Sequence, residues 1–155
     1  MADTTTGVAA RLDADLKDAM RSGDTVRRDA IRRARSALKN AEIEARGALG
    51  EDAAVKVLRG IAKQHRESIE QFAAGGRQDL VEQERRELEV VDAYLPAQMD
   101  AAAVEAVVAE VIAAEGASGP ADMGRVMRSV MSRVGGDADG KEVRVIVQRM
   151  LGGDR

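Results

Sequence analysis

Apolar residues recur along this chain at the 3.6-residue period of a helix, and no segment shows the convincing period-2 alternation of a strand. The pattern predicts seven helices. The first runs from about Val8 to Ser22, with Val8, Leu12, Leu16, Ala19 and Met20 on one face, and Gly23 stops it. Asp24 suits the N-cap of a second helix reaching about Arg46, striped by Ile31, Ala34, Leu38, Ala41 and Ala45. Gly47 and Gly50 mark a turn before a third helix, about Glu51 to Ala74, whose stripe is Leu58, Ile61, Ala62, His65, Ile69 and Phe72. Gly75-Gly76 offers left-handed C-cap geometry. A fourth helix, about Gln78 to Leu95, turns Leu80, Val81, Leu88, Val91 and Leu95 inward and is ended by Pro96, since proline disfavours helical geometry in the residue before it.

Beyond Pro96 the helices shorten and Met and Val become denser. Asp100 suits the cap of a fifth helix bearing Val104, Val107, Val108, Val111 and Ile112, and Gly116 to Pro120 reads as a loop. A sixth helix, about Ala121 to Val134, carries Met123, Val126, Met127, Val130 and Met131. A seventh, Lys141 to Leu151, buries Val143, Ile146, Val147 and Met150. The expected fold is therefore all-α: an N-terminal long-helix domain, residues 1–96, and a C-terminal three-helix bundle, residues 97–155. At about 59 residues the second is near the lower limit for independent folding.

Composition narrows the chemistry. Phe72 and Tyr94 are the only aromatics, so the core is aliphatic. With no cysteine, disulfides, thiolate catalysis and cysteine zinc sites are all excluded. The polar start, Met1 to Gly7, lacks the pattern of a signal peptide, and no apolar run approaches the roughly 20 residues of a membrane span, so a cytoplasmic protein is expected, without membrane association. The net charge of −3 is not that of a broadly basic nucleic-acid-binding domain, so any RNA contact must use a local patch. Arg outnumbers Lys by 19 to 5, which suits phosphate recognition, but a compositional bias toward Arg, Ala, Gly and Val is the weightier reading.

Three constellations carry candidate chemistry. His65, the only histidine, lies on an apolar stripe, and Glu84 falls on the apolar face of the fourth helix; the two are expected to meet as an interhelical hydrogen bond, with an acid/base pair as the alternative. Arg28, Arg32, Arg35 and Lys39 form a cationic ridge about 16 Å long on the second helix. The ridge either tracks phosphates, or is solvated, or pairs with Asp79, Glu82 and Glu89 of the fourth helix. No aromatic platform accompanies it, which disfavours base stacking. Finally, Asp122-Met123-Gly124-Arg125 and Asp139-Gly140-Lys141 open the sixth and seventh helices. Helix starts favour phosphate, but both aspartates are good caps that would occupy the same N–H groups. No phosphate- or dinucleotide-binding glycine pattern, second histidine or cysteine is present, so no cofactor, metal site or self-contained catalytic centre is expected.

Several stretches, in order and in register, resemble the GatB/YqeY family. They are Lys39-Asn40-Ala41-Glu42-Ile43-Glu44 with Arg46, Arg66 to Glu70, Gly76 to Leu80, Tyr94 to Met99, Gly116-Ala117, Asp122 to Met127, and Ala138 to Lys141. The resemblance implies an all-helical fold of two subdomains. Its second part is similar to the tail of the B subunit of the glutamine-dependent aminoacyl-tRNA amidotransferase, a carbon–nitrogen ligase with glutamine as amido donor. That tail helps to hold the misacylated tRNA while other parts do the chemistry. The resemblance thus implies a tRNA-binding or tRNA-enzyme accessory module, with tRNA and an amidotransferase or synthetase as partners. On that reading Arg125, Arg128 and Lys141, with Gly124 and Gly140 for close approach, form the RNA site, and the Arg28–Arg32–Arg35–Lys39 ridge is the alternative. One departure is acidic: where the family often reads Gly-Arg-Ala-Asp-Gly, this chain has Gly136-Asp137-Ala138-Asp139-Gly140. A monomeric helical protein–protein adaptor without RNA binding is the other reading.

Overall fold

A computed structural model describes residues 7–152, which form seven α-helices and, among the described residues, no strand. The helices are α1 (Val8–Ser22), α2 (Thr25–Ala45), α3 (Glu51–Ala74), α4 (Gln78–Asp92), α5 (Ala101–Glu115), α6 (Met123–Val134) and α7 (Gly140–Gly152). Two 3-10 turns, Pro120–Asp122 and Gly135–Asp137, flank α6. The chain divides into two compact units, one through Leu95 and one from Pro96.

Helix ends follow from local chemistry. The Asp24 carboxylate accepts the Arg27 N–H at 3.0 Å to cap α2, and the Asp100 carboxylate accepts that of Ala103 at 2.8 Å to cap α5. Gly23 and Gly116 close α1 and α5 in the left-handed region, at φ 73° and 60°, which glycine enters without a Cβ penalty. The start of α1 is capped differently. Gly7 has no side chain to offer, and the Val8 N–H instead donates to both Glu51 carboxylate oxygens, at 3.0 and 3.1 Å. A residue 43 positions away thereby ties α1 to the first turn of α3.

In the first unit α1–α4 share one core, in which Val8, Leu12, Ile31, Ala34, Leu58 and Ala62 are almost wholly buried. Burying a side chain such as Leu58 contributes roughly 2–3 kcal/mol. In the second unit α5, α6 and α7 pack around Val108, Val111, Val126, Val130, Val143 and Val147, with Met123, Met127, Met131 and Met150 half-buried at the margin.

The structure corrects several sequence expectations. Helix α4 ends at Asp92, not Leu95, so the break precedes Pro96. Residues 93–95 form a turn that buries Tyr94. Met20 is 55% exposed despite its place beside the apolar face, because Ala19 takes the inward position. Ala45 is likewise exposed, at the last residue of α2. The sixth helix starts at Met123, since Pro120–Asp122 tightens into the 3-10 turn.

Candidate functional site

The most buried polar cluster lies in the first unit. His65 of α3 is 3% exposed, and its Nδ1 lies 2.6 Å from Glu84 Oε2 on α4. One turn further along α4, Glu87 is also buried. It places Oε2 4.0 Å from His65 Nε2 and accepts Arg33 Nη1 of α2 at 2.8 Å. His65 Nε2 makes no hydrogen bond. Arg33, Glu87, His65 and Glu84 thus join α2, α3 and α4 by charge and hydrogen bonding across an otherwise apolar interface. The His65–Glu84 contact is the one the apolar-stripe argument anticipates. Glu87 was not anticipated; the available signal was that it follows Glu84 by three residues, on the same helical face. The pair lies inside the core, and among the described residues no group of three or more His, Cys, Asp or Glu is arranged to hold a metal ion.

A second polar cluster, also missed, fixes the end of this unit. The Tyr94 hydroxyl donates to Asp15 of α1, and Arg27 of α2 lies 3.5 Å from the same carboxylate. The Arg11 guanidinium sits 5.1 Å from the centre of the Tyr94 ring and donates to the Ala93 carbonyl at 3.3 Å. Burial first, and the Asp15 carboxylate second, push the Tyr94 phenol well above its ordinary value.

The cationic ridge of α2 does not pair with Asp79, Glu82 and Glu89 of α4. Its partners are nearer: Arg28 meets Asp29 at 2.8 Å, Arg35 Nε meets Asp13 of α1 at 2.6 Å, and Lys39 lies 3.7 Å from Glu42. The hydrogen bond from Arg28 holds the Asp29 carboxyl below the usual carboxylate range. Among the described residues Arg32 forms no ion pair.

The two helix starts of the second unit differ from each other. At α7 the Asp139 carboxylate accepts the Lys141 N–H at 2.9 Å, so capping occupies that terminus. At α6 the Asp122 side chain does not cap. It accepts the Ser118 N–H at 2.9 Å and Arg125 Nη2 at 2.7 Å, and these two partners, in that order, lower its carboxyl below the ordinary value. Arg125 also donates to the Glu115 carbonyl at 3.4 Å, so this residue is placed at the turn but already engaged. Arg133 pairs with Glu110 at 3.1 Å, and Arg149 pairs with Glu105. Arg128, Lys141 and Arg144 are exposed, and among the described residues their side chains form no ion pair. A Cβ added at Gly124 would meet nothing within 4 Å, and one at Gly140 only Met131 Cε at 3.9 Å, so backbone approach is open at both.

Among the described residues these observations define an all-helical protein with polar locks in its first unit and cations without ion pairs on its second. Comparison with known proteins goes further. The YqeY-like protein family model matches residues 9–151, and the chain belongs to that family. Relatives named altered inheritance of mitochondria protein 41, mitochondrial, include one from Lachancea thermotolerans. It is 41% identical over 87 residues, 56% of this chain and 46% of the relative. The Eremothecium gossypii protein is 37% identical over 101 residues, 64% and 55% of the two chains. For these two the match spans about half of the relative's length. The Pyrenophora tritici-repentis protein is 32% identical over 149 residues, 94% of this chain and 81% of the relative. These names overturn the expectation of a cytoplasmic protein: the relatives at 32–41% identity are mitochondrial proteins by name. No described helix is long and apolar enough to cross a membrane.

Proposed function

We propose that this chain is a tRNA-binding accessory module whose second unit acts as a tail-like three-helix bundle, serving an aminoacyl-tRNA amidotransferase or synthetase that supplies the chemistry. The observation that carries this reading is the division of cations in the second unit. Arg125, Arg133 and Arg149 are engaged by carboxylates of their own unit, whereas Arg128 and Lys141 are exposed and, among the described residues, unpaired. Unpaired surface cations are the groups that release counterions when they meet phosphate. Gly124 and Gly140 leave the backbone open close to them in sequence. With no aromatic platform here, the contact reads backbone shape in a folded RNA rather than stacked bases. Arg125 contributes only by exchanging Asp122 for a phosphate, so its share is smaller.

The test is a fluorescence-anisotropy titration of bulk tRNA at low salt with the wild type and with Arg128→Glu/Lys141→Glu. The reading expects binding on the order of micromolar for the wild type and loss of binding in the double variant. Arg125→Glu alone weakens it less. Equal binding by the wild type and the double variant removes the second unit from the contact. No binding by the wild type favours the adaptor reading.

A further inference from the structure

Helix α2 separates two grooves of opposite character. On the α4 side the lining includes Asp29, Asp79, Glu82 and Glu87 against a single arginine, Arg86. On the α1 side a groove of about 580 Å³ is lined by Arg32, Arg35 and Lys39, with Ser36 between them and Asp13 and Glu42 at its edges. The segregation is local, since both grooves border the same helix.

The two acidic residues of the α1-side groove do not cancel its cations. Arg35 Nε pairs with Asp13 at 2.6 Å, and its two terminal nitrogens form no other bond among the described residues. Lys39 is 72% exposed at its side chain and only 3.7 Å from Glu42, a surface pair of the kind worth little. Among the described residues Arg32 forms no close ion pair, though its charge acts on Asp29, and the Ser36 hydroxyl has no hydrogen-bond partner. Arg32, Ser36 and Lys39 stand at i, i+4 and i+7, a run of about 10 Å along one helix face.

We propose that the α1–α2 groove is a second contact for RNA, in which Arg32, Arg35 and Lys39 hold the phosphodiester backbone of the tRNA bound by the second unit. The inference rests on the tRNA reading above and extends it to the first unit. Arg35, paired with Asp13 through Nε, offers its terminal nitrogens to phosphate, Lys39 exchanges Glu42 for phosphate, and Ser36 donates its hydroxyl. The acidic groove on the other side of α2 repels the same backbone and so fixes which face of the unit meets RNA.

The full-length chain is titrated with tRNA over a series of salt concentrations as wild type, Arg32→Ala/Lys39→Ala and, as a control for net charge, Lys56→Ala/Lys63→Ala; circular dichroism confirms that each is folded. The groove variant is expected to bind about tenfold more weakly at low salt, with the slope of log affinity against log salt shallower by roughly 1.5, the share of two phosphate contacts. The α3 control is expected to match the wild type. If the groove variant keeps the wild-type slope, or if the control loses as much, the groove is not a contact while the tRNA reading stands. If the wild type binds no tRNA at the lowest salt, both fall.

Discussion

The two units bury their helices by different means. The first, through Leu95, buries His65, Glu87 and Tyr94, whose polar groups meet Glu84, Arg33 and Asp15 at or near the surface. The second, from Pro96, has a core whose buried members are Val, Ala, Ile and Leu alone, with methionines at its margin. Valine packing rewards any close arrangement of helices. A buried hydrogen bond rewards one register and penalises the others by leaving groups unpaired. The first unit is therefore specified by buried polar residues as well as by volume, whereas in the second the polar contacts between helices, such as Ser129 with Glu115, lie at the margin of an aliphatic core.

The largest effect is expected at His65. Replacing it with Ala opens a cavity and strips the Glu84 carboxylate of its partner, which together destabilise the first unit by about 2–4 kcal/mol. The melting temperature should drop, and hydrogen exchange should accelerate in α3 and α4 rather than in α5–α7. Val130→Ala, in the all-aliphatic core, removes only packing and should cost about 2 kcal/mol. The double variant His65→Leu/Glu84→Leu sharpens the contrast. Exchange of a whole buried polar pair for apolar groups is often nearly neutral, so the double variant should be more stable than His65→Ala. If it is less stable, the pair contributes energy and not register alone.

Tyr94 gives a smaller effect with a characteristic pH dependence. The folded chain holds the phenolic proton more tightly than the unfolded chain does. Stability from this group is therefore intact below the unfolded value of about 10 and declines as the pH rises further. Because Tyr94 is the only tyrosine, absorbance near 295 nm reports its ionisation directly. It should appear together with unfolding rather than before it. Tyr94→Phe should lose about 1 kcal/mol at neutral pH and flatten the alkaline decline.

An effect of similar size is expected of a matched pair, one variant in each unit. Gly23→Ala and Gly116→Ala place a Cβ in the left-handed region with nothing within 4 Å of it, so backbone strain is the whole effect. Each should cost about 1–2 kcal/mol in its own unit. A much larger loss in either unit would show that its helix end is coupled to more than the turn.

The same contrast explains what could be read from the sequence. Helices α1 to α7 were legible because each carries a stripe at local spacing and glycines or capping aspartates bound most of them, whereas the end of α4 at Asp92, short of Pro96, was not. The core of the second unit was legible for the same reason. The polar locks were less so, because their partners lie far apart along the chain: Val8 with Glu51 by 43 residues, Arg33 with Glu87 by 54, and Tyr94 with Asp15 by 79. No period encodes such pairings. His65 with Glu84, 19 residues apart on successive helices, was inferred only because both interrupt apolar stripes. The cations were visible in sequence, but which of them carry partners was not. The engagement of Arg125 by Asp122, and of Arg35 by Asp13, decides that question and belongs to the fold.

The most direct test of the account is a competition at low salt between bulk tRNA and single-stranded poly(U), matched in phosphate concentration, for the full-length chain. A module that reads the backbone of a folded RNA through Arg128 and Lys141, without aromatic stacking, should prefer tRNA, with affinity that falls steeply as salt rises. Equal or tighter binding of poly(U), or no binding of tRNA at the lowest salt, would contradict it.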